Sequence, residues 1–106
     1  MIHVIYYRNR FRVTVEGHAR SNEPGKDLVC AAASTLALTL AENARALQTE
    51  GNARRVIARL DSGSAEICCN PVSKFKHVTT VIFDTICMGF DALARNYPDY
   101  IQYEIR

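Results

Sequence analysis

The sequence predicts an α+β fold: a mainly antiparallel sheet packed against two long helices, in the order ββαββαβ. Three observations predict it. Two pairs of short, period-of-two runs are each joined by a turn, the pattern of hairpins. Two long stretches carry apolar residues at helical spacing. Hairpins that alternate with helices bury their apolar faces by laying the helices over one side of a sheet. A single domain spanning residues 1–106 accounts for the 106-residue chain.

The elements follow in order. Residues 2–7 (IHVIYY) form a first strand, and Arg8-Asn9-Arg10 a turn in which asparagine tolerates left-handed geometry. Phe11, Val13 and Val15 alternate with Arg12, Thr14 and Glu16, which marks a half-buried second strand. That register carries His18 to the polar side, away from the core face. Residues 19–26 read as an exposed loop, since nothing apolar larger than alanine or proline anchors it. Asp27 is a good N-cap for a helix from Leu28 to about Glu50, stopped by Gly51-Asn52. Residues 28–41 are apolar or small nearly all round, so this helix is expected to be buried on more than one side.

Ala53 to Leu60 and Ser64 to Cys69 form the second hairpin across Asp61-Ser62-Gly63. Asn70-Pro71 ends it, and Ser73 is placed to cap a second helix. Phe75, Val78, Val81, Ile82, Ile86 and Leu93 fall on one helical stripe. Gly89 inside that helix costs about 1 kcal/mol relative to alanine, and a close helix–helix approach would compensate. Pro98 stops the helix, and Tyr100 to Ile105 alternates again as a last strand.

Composition excludes several function classes. The net charge is +2, and ten of the thirteen basic residues are arginine, but they are scattered and form no nucleic-acid arm. No apolar run reads as long enough to cross a bilayer, and the start lacks a signal peptide's basic leader, so the expected location is the cytoplasm, with no membrane partner. Cys30, Cys68, Cys69 and Cys87 are then expected as free thiols. Their spacings fit no zinc pattern, and neither metal nor cofactor is expected.

The chemistry centres on a histidine and a cysteine twelve positions apart. Gly17-His18-Ala19 closes a strand, and Gly25-Lys26-Asp27-Leu28-Val29-Cys30 opens a helix. A helix N-terminus favours negative charge, so a thiolate at Cys30 is stabilised there. Backbone room at Gly25 and a base at His18 complete the needs of a nucleophilic thiol. Each residue also has a plainer reading. Cys30 suits a small buried position on an alanine-rich helix; His18 suits a surface histidine. Asp27 either caps the helix or orients His18. Ser34, one turn after Cys30, either contacts the thiol or back-bonds to the helix carbonyls.

Gly17-His18-Ala19, the loop ending at Pro24, and Gly25-Lys26-Asp27-Leu28-Val29-Cys30-Ala31-Ala32-Ala33-Ser34 together resemble the ribosomal-processing cysteine protease family of bacteria, Prp. The tail Gly89-Phe90-Asp91-Ala92-Leu93-Ala94-Arg95-Asn96-Tyr97-Pro98 is similar to that family's end. The resemblance implies a cytosolic, homodimeric cysteine endopeptidase. Such enzymes remove a short N-terminal extension from a large-subunit ribosomal protein, or from a related phage protein, by cutting after an aromatic pair. It implies His18 and Cys30 as the catalytic dyad, Gly25 and Asp27 as motif positions, and Arg20, Ser21, Asn22, Glu23 and Pro24 as part of a substrate lid. Nucleic acid is not required. Arg20, where family members often carry glycine, and Glu23-Pro24 depart from the family pattern. Two other function classes compete: a non-enzymatic ribosome- or RNA-associated module, and a thiol redox protein pairing Cys30 with Cys68 or Cys69.

Overall fold

The computed structural model describes residues 1–18 and 26–106, with the side chains of Lys26 and Asp27 outside the described set. Seven main elements run in the expected order. They are β1 (Ile2–Tyr7), β2 (Arg12–Glu16), α1 (Lys26–Thr49), β3 (Ala53–Asp61), β4 (Ser64–Pro71), α2 (Lys76–Asn96) and β5 (Ile101–Ile105). The five strands form one sheet in the order β3-β4-β2-β1-β5. Every pairing is antiparallel except β1 with β5, which is parallel.

Alternation sorts the strands into two faces. Val4 pairs with Val15 and Tyr6 with Val13, and Val13 in turn pairs with Ile67. These side chains, with Ile2, Cys69 and Ile101, make the core under the helices. Cys68 and Cys69 therefore point to opposite faces, and Cys69 alone of the two is buried. The outer face is polar and cross-linked: Arg12 bonds Glu66 at 2.7 Å and lies over the Tyr7 ring at 4.8 Å.

Helix α1 buries Val29, Ala33, Ala37, Leu40, Ala41, Ala44 and Leu47, one stripe at helical spacing. The helix packs on the sheet and, where Leu36 meets Gly89, on α2, as expected, while Leu28 and Leu38 stand exposed on its remaining surface. The helix ends as expected. Gly51 takes φ +76°, and Asn52 N–H donates to the Leu47 carbonyl at 2.8 Å.

Helix α2 buries Thr79, Phe83, Cys87 and Phe90; of the expected stripe, Phe75, Ile82, Ile86 and Leu93 pack against the core as partly buried residues, and Val78 and Val81 are exposed. The helix is apolar on two sides, and contact with the sheet selects between them. Phe83 stacks near Tyr6 at 6.1 Å between centroids and meets the Phe11 ring edge-on at 5.9 Å. Ser73 starts a short 3-10 turn, and neither that turn nor α2 has a side-chain cap, so the expected Ser73 cap does not form. By length and composition Ser73–Asn96 is apolar enough to cross a membrane, contrary to the expectation from the sequence. Part of that apolarity serves the Phe83–Phe90 face against the sheet. Gly89 has the expected reason: a Cβ there would come within 2.7 Å of Leu36 on α1. In the first turn, the left-handed residue is Phe11 at φ 48°, not Asn9.

Candidate active site

A cavity of about 410 Å³ opens where the N-terminal half of α1 meets one end of the sheet. Cys30, Ala33, Ser34, Ala37 and Leu38 line it from the helix. Ile2, Val15, Gly17 and His18 line it from the ends of β1 and β2, and Leu60 to Ala65 from the β3–β4 turn. The lining is mainly apolar, and Cys30 and His18 are both part of it.

The period-of-two reading sent His18 away from this side. Strand β2 stops at Glu16, however, and Gly17 takes φ +103°, so alternation does not carry through to His18. A Cβ at Gly17 would collide with the Met1 carbonyl oxygen, which makes glycine necessary there for space as well as for torsion. Beyond that kink the Met1 nitrogen donates to the His18 carbonyl at 2.6 Å. His18 is thereby turned into the same cavity as Cys30.

Cys30 is half-buried, and Val29 beside it anchors the helix in the core. Side chains on a helix lean toward its N-terminus, so the thiol leans back over the first turn, where backbone N–H groups lack helical partners. The helix begins at Lys26, ahead of the expected Leu28. Asp27 thus lies within the first turn and not before it, which corrects its reading as the N-cap. Aspartate is favourable at both places, for capping and for the dipole, so composition does not separate them. The earlier start also puts the Cys30 N–H within reach of the Lys26 carbonyl as an ordinary helical partner. The unpartnered N–H groups are those nearer the helix start.

Ser34 lines the cavity one turn beyond Cys30. Gly25 and the lid candidates Arg20, Ser21, Asn22, Glu23 and Pro24 lie outside the described residues, as does the Asp27 side chain. Among the described residues no three His, Cys, Asp or Glu side chains gather as a metal-ligand set.

The β3–β4 turn is the part of the site that sequence reasoning missed. Asp61-Ser62-Gly63 is legible as a hairpin, but no local signal shows that β4 pairs with β2. That pairing, Glu16 opposite Ser64, brings the turn to the histidine.

The other three cysteines occupy different surroundings. Burial pushes the Cys69 thiol up to about 11 and the Cys87 thiol up to about 12. Cys68 is also raised, chiefly by burial, and sits on the outer sheet face with the Arg10 carbonyl 3.9 Å away. The sheet separates it from α1, which disfavours a redox pair with Cys30. Arginines 8, 12, 45, 59, 95 and 106 each pair with a carboxylate, which removes much of the support for an RNA-binding surface.

Cys30 and His18 line one cavity of this α+β domain, and these are the residue types a cysteine peptidase employs. The model of the family described as cysteine protease Prp matches residues 1–102, and the chain belongs to that family. Among solved structures it is similar to SMU.848 from Streptococcus mutans, at 28% identity over 98% of this chain and 90% of that one, with a TM-score of 0.68. It shares its fold with an essential ribosomal processing protease, Prp, from S. aureus in complex with a covalently linked product peptide. That identity is 22%, both chains are covered in full, and the TM-score is 0.73. The same S. aureus protease with a substrate peptide gives 19% identity over 99% and 97% of the chains, at a TM-score of 0.69. No curated protein sequence matches this chain.

Proposed function

We propose that this cysteine peptidase uses Cys30 as nucleophile and His18 as general acid–base, and that its substrate is a short N-terminal extension of a large-subunit ribosomal protein. The observation that carries the dyad is the shared cavity of thiol and imidazole at the start of α1. Support for the substrate comes from the S. aureus relative's description as a ribosomal processing protease.

Proton transfer from the Cys30 thiol to His18 gives a thiolate–imidazolium pair, favoured by the helix N-terminus. The thiolate attacks the scissile carbonyl carbon, and the oxyanion is held by open first-turn N–H groups; one such donor is worth about 3 kcal/mol. The carbon–nitrogen bond breaks as His18 passes its proton to the leaving amine. Water then attacks the thioester, giving its proton to His18, and the acid product leaves as the thiol is restored. Asp27, in the first turn of α1, orients His18, and Ser34 lines the same cavity one turn beyond Cys30. Arg20, Ser21, Asn22, Glu23 and Pro24 serve as the substrate lid, and Gly25 gives the backbone room at the helix start.

The same reading places the enzyme in the cytoplasm as a homodimer. Leu28, Leu38, Val78, Val81 and Met88 are exposed apolar side chains on the helices, and a second copy would cover them. Sedimentation of the purified chain at twice the monomer mass is the expected result; a monomer at micromolar concentration contradicts it.

The direct test is cleavage of a peptide carrying the ribosomal extension. Cys30→Ala abolishes turnover while the circular-dichroism spectrum is unchanged. Wild-type rates from Cys30→Ala would refute the assignment.

A further inference from the structure

The catalytic reading of His18 leaves open what holds its ring, which hangs beyond the end of β2 as an exposed side chain. The β3–β4 turn supplies the answer. Gly63 takes φ +74° there, a backbone conformation that L side chains rarely adopt. A Cβ built on Gly63 would collide with His18 Nε2 and come within 2.7 Å of Cε1 and 2.9 Å of Cδ2. The imidazole therefore lies flush against the glycine backbone, in space that any other residue would fill.

The turn is fixed relative to the histidine by hydrogen bonds on both strands. Gly17 N–H, one residue before His18, donates to the Gly63 carbonyl at 2.8 Å. Ser64 Oγ donates to Glu16 Oε1 at 3.0 Å, and Arg59 reaches both Ser64 Oγ at 3.0 Å and Asp61 Oδ2 at 2.9 Å. What must give, if a methyl group appears at position 63, is the ring and not the backbone around it.

We infer that Gly63 is a positioning residue, whose bare backbone seats the His18 imidazole in the cavity it shares with Cys30. The inference rests on the dyad proposed above. A built-in control separates ring displacement from backbone strain. Gly51 has nearly the same torsion, φ +76°, but nothing lies within 4 Å of a Cβ built there. Gly51→Ala and Gly63→Ala thus both place a side chain at a positive φ, and only Gly63→Ala strikes the ring.

The experiment compares the two variants by NMR of ¹⁵N-histidine-labelled protein and by hydrolysis of the ribosomal-extension peptide. Gly63→Ala is expected to move the His18 ring resonances and to lower kcat about 100-fold, the scale of a misplacement near 1 Å. KM should stay within about twofold, because the substrate floor is intact. Gly51→Ala should leave both the resonances and kcat at wild-type values. Unmoved His18 resonances in Gly63→Ala, or an equal kcat loss in Gly51→Ala, overturn the inference. Should Gly63→Ala not fold, the wild-type protein decides: a nuclear Overhauser contact from the His18 ring to the Gly63 α-protons supports the seat, and its absence overturns it. The dyad fails separately, if His18→Ala cleaves the peptide at the wild-type rate while Gly63→Ala still moves the ring.

Discussion

Two cysteines on the two helices of this protein live in opposite surroundings. Cys30 lies one turn from the start of α1, half-buried, on a cavity wall shared with an imidazole. Cys87 lies in the middle of α2, 1% exposed, hydrogen-bonded to Tyr103 and packed under the sheet. Burial pushes its thiol up to about 12, so at neutral pH it is a proton-bearing apolar filler. The residue type is the same. What differs is the distance from a helix start, the access to solvent and the neighbour across the gap. Reactivity in this fold is a property of place, and the two places answer differently to mutation.

The largest contrast is in activity. Cys30→Ala should reduce peptide cleavage by at least about 10³-fold, the scale of losing a nucleophile, while the melting temperature moves little. Cys87→Ala should do the reverse, keeping cleavage within a few-fold while thermal unfolding shifts down. A Cys87→Ala enzyme that folds normally but has lost turnover would break the comparison.

Next in size is the core that surrounds Cys87. Phe83 is fully buried between Tyr6 and Phe11, so Phe83→Ala should cost about 3–5 kcal/mol in urea unfolding. A loss below 1 kcal/mol would mean that this cluster does not form the center of packing.

A smaller effect sharpens the same region through pH. Asp84 accepts hydrogen bonds from Arg8 Nε at 3.0 Å and Nη2 at 2.8 Å, and from the buried Tyr6 hydroxyl at 2.8 Å. The Arg8 guanidinium holds its carboxyl below the usual range, with Tyr6 assisting. A folded-state value below the unfolded one means that this stabilisation is fully present above the unfolded carboxylate range near pH 4 and is lost as pH falls through the lower folded value. The pair is partly exposed, which keeps the effect modest. Asp84→Asn should lower the melting temperature by a few degrees at pH 7 and flatten its decline below pH 4. An unchanged acid limb would show that Asp84 is not a source of acid sensitivity.

Much of this was legible in the sequence, for reasons visible residue by residue. Strand β2 shows clean alternation, and Gly51-Asn52 carries stop chemistry that needs no tertiary help. Cys30 stood out because a glycine, an aspartate and a helix start surround it. The misreadings share a cause. Helix α2 has apolar residues on two sides, and only the position of the sheet decides that Phe83 is buried and Val81 is not. Strand alternation extended past Gly17 puts His18 on the polar side, but the positive φ at Gly17 ends that alternation. The β3–β4 turn entered the site through a pairing between β2 and β4 that are far apart in the chain, which no local pattern encodes.

The most direct test of the central claim is the rate at which iodoacetamide alkylates each cysteine at mildly acidic pH, followed by peptide mass spectrometry. Cys30 should be modified much faster than Cys68, Cys69 and Cys87, and His18→Ala should slow it toward the rate of an ordinary thiol. Equal rates at all four cysteines, or a Cys30 rate indifferent to His18, would contradict the account.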